Sequence, residues 1–133
     1  MASIHKEIVI DADPASVWDA LRDFGALHTR LVPGFVTDTR LDGDARIVTF
    51  ANGAVAREIL VDCNDAHRRL VYAVRSERLT QHSASAQVLD EEGGRSRFVW
   101  IVDVLPHEVA THMEGQMELG LAAMQKALGR KAA

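Results

Sequence analysis

The sequence contains a single cysteine, Cys63, among its 133 residues. A disulfide framework within the chain is therefore excluded, and without a Cys-x-x-Cys pair or a Cys/His cluster no structural zinc site is expected. Cys63 reads as a small buried apolar side chain. Basic charge is also scarce: 15 Lys and Arg stand against 19 Asp and Glu, a formal net charge of -4, and no basic run occurs. Nucleic acid is accordingly not an expected partner. No apolar run is long enough to cross a bilayer, since the most apolar window, 98–105, is interrupted by Asp103. Residues 1–7 lack the basic-then-apolar pattern of a signal peptide. These absences point to a cytoplasmic protein with no integral membrane association. Catalytic signatures are missing too: there is no Gly-x-Ser-x-Gly, no phosphate-binding Gly-rich loop and no His-Glu-x-x-His. His107 and His112 fall about 140° apart around a helix, so they do not form a metal pair. Neither a metal nor a cofactor is expected.

What is present fits one globular domain, 1–133, with 47% hydrophobic and 26% charged residues. The stretch 105–128 carries Leu105, Val109, Met113, Met117, Leu121, Met124 and Leu128 at spacings of three and four, one apolar stripe on a helix. Such a helix is roughly 35 Å long, enough to cross a small domain. Its methionines re-pack readily around irregular shapes. Near the other end, Asp13 and Pro14 form a helix start, and Val17, Trp18 and Leu21 give that helix a buried side. Gly25 is expected to end it in a left-handed conformation. A second short helix is expected over 26–32, stopped by Pro33 and Gly34.

Alternating β-branched residues predict a strand over 4–10 and six more over 35–41, 46–50, 54–63, 70–75, 81–89 and 97–103. Asp42-Gly43, Asn52-Gly53, Asn64-Asp65 and Gly93-Gly94 are natural turns between antiparallel neighbours. The implied class is α+β: a seven-stranded curved antiparallel sheet around a long C-terminal helix, with two short helices between strands one and two.

In this order the sequence resembles the START-related superfamily of polyketide cyclase/dehydrase-like and lipid-transport proteins, whose fold is the helix-grip. The resemblance rests on 13–18 after the first strand, Asp23-Phe24, 43–46 at a hairpin and Gly53 followed by Glu58. It continues through Leu70-Val71-Tyr72, Trp100 in the last strand and Pro106 before the closing helix. It implies an internal chamber for a small hydrophobic or amphipathic molecule, such as a lipid, polyketide or isoprenoid-like compound. It departs from the plant hormone receptors of this fold, which carry a pocket lysine and a proline-containing gate. Residues 33–37 contain no lysine and residues 50–55 no proline.

Strand parity gives a map of the inner face: Leu70, Tyr72 and Val74 on one strand, His82, Ala84, Ala86 and Val88 on the next. Small Ala84 and Ala86 leave volume beneath the helix, as a ligand chamber requires. Glu58 is ambiguous. Periodicity turns it outward, because Val55, Arg57, Ile59 and Val61 are the more apolar side; the resemblance turns it inward. The polar candidates are His28, Glu58, Tyr72, His82, His112 and Gln116, the last two flanking the methionine stripe. We take Glu58, Tyr72, Val74, His82, Ala84, Ala86, Met113, Gln116 and Met117 as the expected ligand contacts. Loop 75–78 reads as solvated, with 76–80 placed to border the mouth. Two other readings stay open: a cyclase or dehydratase in which Glu58 and a histidine such as His82 move protons, and a co-chaperone-like interaction domain with a vestigial cavity.

Overall fold

The first alternating run forms β1 (Ser3–Ile10) in the computed structural model, which describes residues 2–77 and 79–129. Helix α1 (Pro14–Arg22) follows, with Val17, Trp18 and Leu21 buried. Its start is capped by Asp13, whose carboxylate accepts from the Ser16 amide at 3.1 Å and from Ser16 Oγ at 2.6 Å. Asp13→Ala is therefore expected to lower stability by about 1 kcal/mol in urea unfolding. An unchanged midpoint would show that the cap is dispensable.

After α1 the chain differs in detail from expectation. A 3-10 turn at Phe24–Ala26 and a π-helical turn at Leu27–Leu31 replace the regular short helix, with Val32 N donating to Leu27 O at 3.0 Å. Gly25 is not left-handed; the glycines at positive φ are Gly34, Gly43, Gly53, Gly93 and Gly94. Gly25 instead provides room, since a Cβ there would lie 3.0 Å from Leu41 Cγ and Cδ1.

The remaining strands are β2 (Val36–Asp42), β3 (Ala45–Phe50), β4 (Val55–Asn64), β5 (Arg69–Arg75), β6 (Gln81–Glu91) and β7 (Arg95–Leu105). They form one antiparallel sheet in the order β1-β7-β6-β5-β4-β3-β2. Between β4 and β5 the register steps from Leu60↔Tyr72 to Asp62↔Val71, so Val61 is the extra residue of a bulge.

The closing helix starts later than its periodicity suggests. Leu105 pairs with Gln81, and its carbonyl accepts from Thr80 N at 2.9 Å, so the sheet holds it. Pro106 and a 3-10 turn at His107–Val109 intervene before α2 (Ala110–Leu128). The helix is thus about 28 Å long. Met117, Gly120, Leu121 and Met124 face the sheet. Gly120 permits the close approach: a Cβ there would lie 3.3 Å from Trp100 Cζ3 and 3.4 Å from Phe35 Cε2. Polar ties fix the helix direction against β1. Gln125 Nε2 donates to Val9 O at 3.2 Å, and Lys6 Nζ lies 3.1 Å from both Glu114 and Glu118. Among the described residues no helix is long and apolar enough to cross a membrane.

Candidate functional site

Strand register assembles the polar residues into one row. Arg46 on β3 pairs with Glu58 on β4, and Glu58 pairs with Val74 on β5. His82 on β6 lies one step beyond the pair Ala73↔Ser83, level with Val74. The adjacent row runs Leu60, Tyr72, Ala84 and Val102. Between these rows, α2 and the helical turns before β2 lies a cavity of about 220 Å³. Leu31, Phe35, Phe98, Trp100, Met117 and Met124 supply much of its apolar wall. Arg46, Glu58, Tyr72 and His82 are its buried polar members. Asn52 and His112 are exposed lining residues, and Gln116 and Ser76 are half-buried ones, so these frame the opening.

Glu58 faces this cavity and is only 6% exposed, whereas Val55 and Val61 on the same strand are 59% and 61% exposed. The apolar pattern of β4 is therefore inverted relative to its burial. The charge is compensated across the hairpin: Arg46 Nε and Nη2 donate to Glu58 Oε1 at 2.8 and 2.7 Å. Arg46 Nη1 donates to Phe24 O at 3.3 Å, and the guanidinium carbon sits 4.0 Å from the Phe24 ring centre and 5.4 Å from that of Tyr72. Three of the five guanidinium N–H donors are thus engaged by the protein, and two rings lie against the group. Both short contacts use Oε1, which leaves Oε2 of Glu58 outside the pair.

Tyr72 and Trp100 meet across the intervening strand. Trp100 Nε1 donates to Tyr72 Oη at 3.2 Å, over the stretch of β6 that carries Ala84 and Ala86. The small residue Ala84 thus makes room for this aromatic bridge. It is buried and does not line the cavity, a correction to its expected role as a wall residue. Ala86 does line it, as do Val74, Met113, Gln116 and Met117. Burial, and then the charge of Glu58, raise the Tyr72 phenol well above its ordinary value, so it stays protonated. Among the described residues its own O–H has no acceptor.

His82 is 8% exposed, and its buried Nδ1 has no hydrogen-bond partner among the described residues. Burial pushes its pKa down from 6.5 to about 4, so the imidazole is neutral at pH 7. His28 lies on the π-helical turn and does not line the cavity. Ser76 and Leu79 line the cavity; Arg78, in the same stretch of sequence, lies outside the described residues.

Arg46 is absent from the expected ligand contacts, although its place opposite Glu58 has a signal in the sequence. Arg46 and Glu58 are each six residues from Asn52, so a hairpin turning there sets them opposite one another. Phe35 and Phe50 are also absent from the expected contacts, while Leu79 lies in the stretch expected at the mouth. They come from loops and strand ends, where no periodicity marks an inner face. Among the described residues no cluster of His, Cys, Asp and Glu is placed to hold a metal ion.

Comparison with known proteins places this geometry. No curated protein matches the sequence. Among solved structures, an uncharacterised protein from Bacillus thuringiensis superposes with a TM-score of 0.85 at 22% identity, over 96% of this chain and 98% of that one. A START superfamily protein from Mycobacterium smegmatis gives 0.75 at 11% identity, over 95% and 96%. A norcoclaurine synthase point mutant from Thalictrum flavum, in complex with a transition-state analogue, gives 0.67 at 22% identity, over 96% and 91%. These likenesses establish the START-like helix-grip fold. A family model described as polyketide cyclase/dehydrase and lipid transport matches residues 1–130, and the chain belongs to that family.

Proposed function

We propose that this protein binds a small, mostly apolar molecule with one polar end in the cavity between the sheet and α2. The observation that carries this reading is the wall itself: an apolar chamber of about 220 Å³ lined by His82, whose buried Nδ1 has no partner among the described residues, and by Tyr72, whose hydroxyl accepts from Trp100 but has no acceptor for its own hydrogen among them. A core built only for stability pairs such atoms or omits them. Affinity would come chiefly from apolar burial, at about 25 cal/mol per Å². The volume lies below the ~300–1,000 Å³ usual for drug-sized ligands, which favours a compact ring compound or a short isoprenoid or polyketide fragment. Val74, Ala86, Met113 and Met117 supply apolar contact, while Glu58, Tyr72, His82 and Gln116 orient the polar end. An enzyme using Glu58 and a histidine as base is less well supported. Arg46 holds Glu58, and an imidazole with a pKa of about 4 is a weak base at neutral pH.

Methionine methyl groups test this directly, because Met113, Met117 and Met124 all line the cavity. On adding naphthalene as an apolar probe, their NMR signals are expected to shift with one saturating dissociation constant. Ala86→Phe, which adds a ring to the wall, is expected to weaken that constant at least about tenfold while the fold is retained. Methyl signals that stay fixed at probe saturation, or an Ala86→Phe variant that binds as well as the wild type, would count against the cavity site.

A further inference from the structure

The polar floor of the cavity limits which polar end it accepts, an inference that rests on the binding reading above. Arg46 is the one cation among the described lining residues that is buried, and it is already engaged. Two of its donors go to Glu58 and a third to the Phe24 carbonyl, with the Phe24 and Tyr72 rings against the guanidinium. An incoming carboxylate would meet Glu58 beside it and, among the described lining residues, no cation other than the one already paired with Glu58, so its burial would be poorly compensated.

The unused groups describe a different partner. Among the described residues the Tyr72 O–H is a donor that lacks an acceptor, and Oε2 of Glu58 is an acceptor outside the Arg46 pair. His82 Nδ1 is either donor or acceptor, according to which ring nitrogen carries the proton. A hydroxyl can accept the Tyr72 hydrogen and donate its one proton either to Glu58 Oε2 or to an unprotonated Nδ1. A ketone or ether only accepts, and donates to neither. We propose that the cavity selects a neutral ligand whose polar end is a hydroxyl, an alcohol or a phenol, and rejects the corresponding carboxylate.

Three probes of one shape test this: naphthalene, 2-naphthol and 2-naphthoate, titrated at pH 7 into protein with labelled methionine methyls. The expected result is that 2-naphthol binds about tenfold more tightly than naphthalene and at least about thirtyfold more tightly than 2-naphthoate. Tyr72→Phe, which keeps the ring, and His82→Phe are each expected to reduce the ratio of naphthol to naphthalene affinity, read as a ratio within each variant. Either variant suffices if the other does not fold. Equal binding of naphthol and naphthalene, carboxylate binding as tight as naphthol, or a preference unmoved in a folded variant would overturn the inference and leave the cavity reading standing. If no probe binds, the cavity reading fails and this inference fails with it.

Discussion

Arg46→Met is expected to destabilise the protein by about 3–5 kcal/mol in urea unfolding at pH 7. Methionine has nearly the length of the arginine stem and keeps its apolar contacts, so the change removes mainly the guanidinium. Glu58, 6% exposed, then loses both hydrogen bonds to Oε1 and stays in an apolar chamber with its charge unanswered. The cost lies in that orphaned carboxylate rather than in the worth of the pair. Arg46→Met combined with Glu58→Leu is therefore expected to recover most of the loss, since a buried ion pair is often replaced by apolar residues without penalty. A single variant that loses less than about 1 kcal/mol would mean the pair behaves like a solvated surface bridge. A double variant as unstable as the single would place the cost in packing around the guanidinium, against Phe24 and Tyr72.

Acid is expected to weaken the protein through His82 by about 3 kcal/mol between pH 7 and pH 4. Burial lowers its pKa from 6.5 to about 4. The unfolded chain takes up a proton near pH 6.5 and the folded one near pH 4, so within that window the unfolded state binds more protons. Stability then falls as pH falls, and the loss levels off below about pH 4. Other groups titrate in the same range, so the measured quantity is the difference between wild type and His82→Gln. The two unfolding curves are expected to converge as pH falls, the wild type losing the larger amount. Parallel curves would mean that His82 is solvated in the folded protein.

Local signals carried most of the architecture into the sequence. Asp13 and Pro14 mark the start of α1 because capping depends only on neighbours. The Gly43 and Gly53 turns, with φ of 63° and 88°, mark hairpins because only glycine takes that backbone freely. The methionine stripe marks α2 for the same reason of short-range spacing. Features settled by distant partners were harder to read. The start of α2 depends on Gln81 and Thr80 keeping Leu105 in the sheet. The inward turn of Glu58 depends on Arg46, and it goes against the apolar side of its own strand. Ala84 looked like open volume, but its space goes to a tyrosine and a tryptophan from the two neighbouring strands. The site was therefore legible as strand faces and not as a constellation, because its groups come from different strands and each is explained by a partner elsewhere in the chain.

The central claim is that the cavity holds a small molecule. Its most direct test is native mass spectrometry of the protein purified from its own cells, followed by organic extraction and identification of what is released. The account predicts a stoichiometric adduct of a neutral, mostly apolar compound bearing a hydroxyl, displaced by 2-naphthol and absent from Ala86→Phe. A mass equal to the bare chain under conditions that preserve the fold, together with methionine methyls unmoved by any of the three probes, would contradict it.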